Sequence, residues 1–283
     1  MKRRRILEER FFRYLTGFFT YGLIVLLFFI IFEIFKKGLP ALSWEMITEV
    51  PKGGFYFGKE GGILNAIVGS IYLATGASFL AVAISLPVAL FINISLTRFE
   101  KWQHFVRYIL DLLWGVPPIV YGSFAFSLML VFGMRASLLA GILTITCLII
   151  PVMIRAMDEV LRRIPVGLVE STFSLGVTRF EAAFVFLRQA LPGIATAFLL
   201  GFAKGIGDTA AVLFTAGYTD YVPQSLTEPA ATLPLAIFFQ LSSPIEEVKA
   251  RAYAAAVILT LMILAISVVS RYLSSLVSKN TVS

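Results

Sequence analysis

The sequence is poor in the residues that carry most enzymatic chemistry. One cysteine, Cys147, and one histidine, His104, occur among 283 residues. A lone thiol cannot close an internal disulfide or build a metal-binding cluster. The motifs HExxH, CxxC and G-x-S-x-G are also absent. These absences argue against metal-dependent and covalent catalysis, and they predict no metal site in this chain.

Charge is scarce as well. Only 14% of the residues are charged and 58% are hydrophobic, against about 25% and roughly 45–50% in soluble domains. The apolar residues gather into six runs that approach the length needed to cross a bilayer, about 20 residues at 1.5 Å each. The predicted spans are Leu15–Phe35, Ile63–Ile94, Tyr108–Phe132, Leu138–Ile154, Leu191–Gly217 and Tyr253–Ser270. We therefore predict an all-α, polytopic membrane protein, with residues 1–283 forming one domain.

The cations predict the orientation of these spans. Sixteen lysines and arginines flank the spans on one side and seven on the other, and cytoplasmic loops retain such residues. Both termini are therefore predicted to be cytoplasmic. Membrane topology also explains the formal charge of +7, so we expect membrane lipids and no nucleic acid as partners.

One stretch has the spacing of a nucleotide-binding loop without its chemistry. GGFYFGKE, from Gly53 to Glu60, matches G-x-x-x-x-G-K, but Glu60 stands where a hydroxyl should reach magnesium. No apolar strand precedes it, and it lies on the predicted external side. We interpret it as an external turn, so any ATP must be hydrolysed by another chain.

The predicted cytoplasmic segment 155–190 has two interpretations. It alternates short amphipathic stretches with Pro165, Gly167 and Gly176, a pattern that predicts two short helices joined by a turn. The segment is either a solvated connector or a docking surface for a partner. The apolar residues of such a surface would be Leu168, Val169, Phe173 and Leu175.

ESTFSLG, from Glu170 to Gly176, resembles the EAA-x-x-x-G motif of ABC importer permeases, whose short helix couples to a cytoplasmic ATPase. Three further stretches resemble the PstA-type permeases of phosphate importers. These stretches are GGILNAIVGS at Gly61–Ser70, WGVPPIVYG at Trp114–Gly122 and AKGIGDTAAVLFTAG at Ala203–Gly217. The resemblance extends from about Gly61 to Ser270.

The resemblance implies the type I ABC importer permease fold, alternating access and a location in the cell inner membrane. The implied partners are a second permease subunit of PstC type, two ATPase subunits of PstB type that bind ATP and magnesium, and an external PstS-type phosphate-binding protein. No cofactor is implied for this chain. The residues implied to couple to the ATPase are Glu170, Ser171, Thr172, Phe173 and Gly176, with Ser171 and Thr172 where the family has alanines.

Lys204 and Asp208 interrupt the fifth predicted span. Lys204 lies roughly 20 Å beyond Leu191 and so near mid-bilayer, where a charge costs about 2.5–3.5 kcal/mol. In a continuous helix, Asp208 would share a face with it and neutralise it. The pair either stabilises packing alone or lines a substrate path. In the second case Lys204, which stands where the family has arginine, would meet phosphate, and Thr209 and Thr215 would offer hydroxyls.

Two other features allow a functional and a structural interpretation. Pro117 and Pro118 interrupt the third predicted span, either as a hinge or as static packing. Arg155 directly follows the inner end of the fourth, where it would attract anions to a cytoplasmic exit or reach lipid headgroups. The competing functions are transport of another oxyanion, a self-sufficient anion channel that needs no docking loop, and, least favoured, an intramembrane enzyme using Asp208.

Overall fold

The computed structural model describes residues 2–52 and 60–278, so the predicted turn at Gly53–Glu60 lies, apart from Glu60, outside the described residues. Helices account for nearly all regular structure. The helices are α1 (Lys2–Gly38), α2 (Trp44–Thr48), α3 (Leu64–Ile94), α4 (Glu100–Trp114), α5 (Pro118–Val131), α6 (Leu138–Leu161), α7 (Val166–Ser174), α8 (Arg179–Gly207), α9 (Leu233–Leu241) and α10 (Glu246–Ser278). Two short strands, β1 (Pro51–Lys52) and β2 (Glu60–Gly61), pair antiparallel.

Five helices in the described part of the chain are long and apolar enough to cross a membrane. They are α1, α3, α6, α8 and α10, and each contains or overlaps one predicted span. A sixth candidate is the pair α4 and α5, whose axes differ by 91°. The chain is thus a multi-pass membrane protein, as predicted, with five spanning helices, or six if α4 and α5 together form one span.

The prediction of a continuous third span was wrong. Gly115, Val116 and Pro117 separate α4 from α5. A residue before proline avoids the helical region, and Pro117 is extended, with ψ 138°. Pro118 then opens α5 at its first position, where its missing N–H costs nothing. The proline pair therefore ends one helix and starts another.

The fifth span also differs from its prediction. The helix begins at Arg179 rather than Leu191, behind a capping box made by Thr178 and Glu181. It ends at Gly207 rather than Gly217, and Asp208 is already extended, with ψ 126°. Gly205 and Gly207 weaken the last turn, because glycine loses more backbone freedom in a helix than other residues. Residues 208–217 are not helical, and 210–216 form turns.

Small residues allow α3, α6 and α8 to pack closely at the centre of the molecule. Ala74, Ala77 and Ala81 of α3 are fully buried, and α3 packs against both other helices. On α8, a Cβ at Gly205 would lie 3.0 Å from Ile145 of α6. Close backbone approach at small residues is typical of helix contacts in membranes.

The remaining helices pack around this centre. α10 packs on α8 and α9, and α1 contacts α10. The most apolar stretch of α1 is unburied. Within the segment 218–251, α9 packs on α10 and α3, and its Leu233, Leu235 and Ala236 are fully buried.

Candidate functional site

Lys204 lies in the last turn of α8. A cation there is stabilised by the partial negative charge at a helix C-terminus, by about 0.3–1 kcal/mol. Its neighbour Gly205 is level with Ile145, about 10 Å along α6 from Leu138. Lys204 therefore lies on the Leu138 side of the middle of α6, and its side chain is partly exposed.

Asp208 follows the end of α8 and does not continue its helical face, contrary to prediction. Its Oδ1 accepts a hydrogen bond from the Ala211 N–H at 2.8 Å. Among the residues that the structure describes, no ion pair within 4.0 Å joins Asp208 to Lys204. The interruption that looked like an intrahelical pair is the end of a helix, with Asp208 capping the turn that follows.

The turn segment that follows α8 packs on the first turns of α5. A Cβ at Gly122 would lie 2.7 Å from the Ala211 carbonyl oxygen and 2.9 Å from that of Ala210. Asp208 and Thr209 are therefore held near the α4–α5 break by direct backbone packing. Two of the stretches that carried the family resemblance meet here.

The third stretch, GGILNAIVGS, joins the same region from the start of α3. Asn65 Nδ2 donates to the Thr219 carbonyl at 2.6 Å, and Ser70 Oγ accepts from the Leu233 N–H at 2.8 Å. Asn65 and Ser70 are both buried. Buried polar groups that find backbone partners fix the register of the segment they bind, so α3 holds the chain that follows the turns.

Tyr218 anchors the same segment between the turns and α9. Its ring meets Phe239 edge to face, with centroids 5.5 Å apart. Burial raises the pKa of the Tyr218 phenol above its ordinary value, and the charge of Asp220 raises that pKa further. The phenol is therefore neutral at physiological pH.

Thr215 is placed differently from Thr209. Thr215 is fully buried, and its hydroxyl donates to the Ala211 carbonyl at 3.3 Å. Thr209 is partly exposed. The predicted hydroxyl donation to a substrate gains no support at Thr215 in this conformation, whereas Thr209 stays a candidate.

Arg155 is not brought together with Lys204. It lies about 15 Å farther along α6 than Ile145. Its Nε is 2.7 Å from Asp111 Oδ1, and its Nη1 donates to Asp158 Oδ2 at 3.1 Å. The guanidinium is thus engaged by two carboxylates, and its role in a substrate path stays a prediction.

Asp158 is the centre of a buried network that sequence reasoning missed. Its side chain is 1% exposed and binds Arg107 of α4 through Nε at 3.0 Å and Nη2 at 2.9 Å. Asn93 of α3 donates to it at 2.8 Å. These contacts fasten α4 to α3 and α6. A signal was present in the sequence, because Arg155 and Asp158 are three residues apart, a spacing that places opposite charges on one face if the helix continues.

The predicted coupling segment contains one short helix, α7, rather than two. The second predicted helix is the beginning of α8. Gly176 follows α7 with φ +75°, a left-handed conformation that favours glycine. Thr172 is buried, whereas Glu170, Ser171 and Phe173 are exposed. The helix thus presents one face outwards, in the place where the docking surface was predicted.

The apolar residues on this outward surface differ in part from those predicted. Leu168 and Val169 are half-buried, and Phe173 leans on Phe186 of α8 at 6.1 Å. Leu175 is 82% exposed, as the docking interpretation requires. Three exposed residues were not predicted: Val166, Phe180 and Phe184. Such a surface is unusual for a merely solvated connector.

Known proteins resemble this chain over most of its length. The family profile "Binding-protein-dependent transport system inner membrane component" matches residues 85–281. A "Phosphate transport system permease protein PstA" of Pasteurella multocida is 31% identical over 243 residues, covering 86% of this chain and 85% of the relative. A "Probable phosphate transport system permease protein PstA" of Methanocaldococcus jannaschii is 33% identical over 275 residues, covering 95% and 94%.

Solved structures resemble the fold. A chain of the MetNI methionine ABC transporter, in an inward-facing conformation, superposes with a TM-score of 0.63. The superposition covers 76% of this chain and 95% of that one, at 19% sequence identity. This likeness supports the ABC importer permease architecture and carries no information about the substrate.

Proposed function

The chain belongs to the binding-protein-dependent transport system inner membrane components and, within them, to the PstA-type permeases, and from that membership we propose the following function. It is the permease subunit of an ATP-driven importer of inorganic phosphate. The observation that carries this function is identity of 31–33% to PstA proteins over most of both chains. ATP hydrolysis belongs to a separate subunit of the transporter.

The remaining subunits are part of the proposal. A PstC-type permease, two PstB-type ATPases that hold ATP and magnesium, and a PstS-type binding protein complete the complex in the inner membrane. α7 and the residues around it provide the surface for the ATPase. The outward position of Glu170 and Leu175 supports this assignment, because a docking helix must present side chains that the permease itself leaves unburied.

Lys204 is the proposed phosphate contact. It combines a positive charge, partial exposure and a position directly before the turns that pack on α5. Lysine attracts an anion as a point charge without the two-pronged grip of arginine. A weaker grip suits transport, because the site must release the phosphate that it receives.

Transport by the assembled complex distinguishes an importer from a self-sufficient anion channel. Vesicles that contain the complex should accumulate radiolabelled phosphate against its gradient with ATP, and they should not do so with a non-hydrolysable analogue. The chain should also co-purify with an ATPase. Phosphate flux through this chain without the ATPase would establish the channel instead.

A set of variants tests the role of Lys204. Lys204→Ala should lower phosphate uptake at least about tenfold, the factor that 1.4 kcal/mol of lost attraction represents. Lys204→Arg should retain substantial uptake, and Lys36→Ala, which removes an exposed cation from α1, should leave it unchanged.

The double variant Lys204→Ala with Asp208→Asn separates contact with phosphate from charge balance. If Lys204 meets phosphate, removing both charges cannot restore uptake. Full uptake by the double variant, at normal yield of complex in detergent, would assign Lys204 to charge balance alone.

A further inference from the structure

α4 carries an apolar stripe that no other described element covers. Trp102, Phe105, Ile109 and Leu112 follow one another at spacings of three and four residues, which places them on one face of the helix. Trp102 is 62% exposed and Leu112 is 51% exposed. The opposite face, with Leu110 buried and Arg107 bound to Asp158, packs on α6. The stripe therefore faces away from the rest of the chain.

The orientation of α4 places this stripe along a membrane surface. α5 is apolar and belongs to the candidate span, and α4 is bent from it by 91°. α4 also follows α3 at the end that the cation distribution assigns to the cytoplasm. A helix with one polar and one apolar side that lies across the spans fits the boundary between headgroups and acyl chains. Trp102 suits this depth, because tryptophan is enriched at membrane interfaces.

Two cations stand at the start of the stripe. Arg98 and Lys101, together with Trp102, line a cleft of about 470 Å³. Arg98 also lines a second cleft of about 510 Å³, shared with Phe173 and Arg179 near the coupling helix. Neither Arg98 nor Lys101 forms an ion pair with a described residue. The acid between them, Glu100, balances one charge of the two, so the cleft keeps an excess of positive charge.

We propose that Arg98, Lys101 and the apolar stripe of α4 form a binding site for an anionic phospholipid of the cytoplasmic leaflet. The headgroup phosphate binds in the cleft at Arg98 and Lys101. The acyl chains lie along the stripe from Trp102 to Leu112. Charge complementarity favours this occupant, because a purely apolar protein partner would leave both cations of the cleft unmatched.

The site also has a consequence for the coupling surface. Arg179, which opens α8 beside the coupling helix, donates from Nη1 to the Ser95 carbonyl at 3.0 Å. The second cleft thus joins the turn that carries Arg98 to the segment that carries Phe173. A headgroup held at Arg98 lies beside the surface assigned to the ATPase.

Native mass spectrometry of the full chain with its co-purified subunits tests the site. Phosphatidylglycerol should bind more tightly than phosphatidylcholine with the same acyl chains. Each cation near an anionic leaflet contributes about fivefold, so Arg98→Gln with Lys101→Gln should weaken phosphatidylglycerol binding roughly 25-fold. The control Arg162→Gln with Arg163→Gln removes two exposed cations outside α4 and should change nothing.

Two further arms identify the occupant. Inorganic phosphate at the concentration of the lipid should fail to displace phosphatidylglycerol, because it lacks acyl chains. With Phe105→benzoylphenylalanine in the otherwise unchanged complex, illumination should give an adduct with the mass of a phospholipid.

If Arg98→Gln with Lys101→Gln fails to assemble, the charge-conserving pair Arg98→Lys with Lys101→Arg should assemble and keep its preference for phosphatidylglycerol.

Several results would overturn the proposal. Equal binding of the two lipids, equal affinity of the double variant and the wild type, or displacement by inorganic phosphate would each exclude a specific anionic lipid site. An adduct between residue 105 and the second permease chain would show that a protein covers the stripe.

Discussion

Asp158→Ala should destabilise the protein strongly, because Asp158 neutralises two arginines in a buried network. Its side chain is 1% exposed and that of Arg107 is 12% exposed. The substitution removes all three hydrogen bonds that Arg107 donates to the Asp158 carboxylate and leaves a largely buried cation without its counter-charge. Removing one partner of a buried ion pair costs about 3–5 kcal/mol, and we expect a loss of that size in the free energy of unfolding.

Graded variants separate charge from packing. Asp158→Asn keeps an acceptor for Arg107 and should cost less, about 1.5–3 kcal/mol, the range for hydrogen bonds to charged groups. Asp111→Asn removes a carboxylate that is 50% exposed, and surface pairs contribute about 0–1 kcal/mol. Asp158→Asn with Arg107→Gln should recover part of the loss, because no uncompensated charge stays buried.

Unfolding of the purified chain in mixed micelles of increasing SDS fraction measures these differences. The expected order of stability is wild type, Asp111→Asn, Asp158→Asn and Asp158→Ala. If Asp158→Ala lies within about 1 kcal/mol of Asp111→Asn, the network does not fasten α4 as the contacts indicate.

Other changes test the coupling surface and the packing of the turns. Glu170→Lys alters the docking face, and Gly176→Leu forces leucine to φ +75° at a cost of about 1–2 kcal/mol. Both variants should stay in the membrane but uncouple ATP hydrolysis from phosphate uptake. Uptake at the wild-type rate would contradict the docking assignment. Gly122→Ala brings a Cβ to 2.7 Å from the Ala211 carbonyl and should cost about 1–3 kcal/mol. Gly115→Ala, whose Cβ has 3.4 Å of room, should unfold like wild type, so equal losses would refute the packing argument.

The spanning helices were predictable because each is a long apolar run. The break between α4 and α5 was missed because apolar residues continue through it. A readable signal was nevertheless present, since Gln103, Arg107 and Asp111 recur every four residues and mark one polar face on α4. That pattern indicates an amphipathic helix rather than one surrounded by lipid on all sides, and in the structure its polar face contacts α3 and α6.

The candidate site was predicted in composition and not in geometry. Asp208 and Thr209 do lie beside α5, directly after the helical turn that carries Lys204, but the assumed helix through Asp208 gave Lys204 and Asp208 the wrong geometry. The helix-propensity costs of Gly205 and Gly207 are small, so they do not by themselves predict where α8 ends. The backbone contacts that hold the turns come from segments distant in sequence. Asp158 and Arg107 are 51 residues apart, so their contact depends on tertiary packing that one sequence does not reveal.

Competition for uptake tests the central claim most directly. Vesicles that contain the complete ATP-driven complex are given radiolabelled phosphate, with an excess of unlabelled phosphate, sulfate or molybdate. A phosphate permease predicts that only unlabelled phosphate abolishes the accumulation of label, and that sulfate and molybdate leave it nearly unchanged. Equal inhibition by sulfate or molybdate, or no ATP-dependent accumulation of phosphate, would contradict the function assigned to this chain.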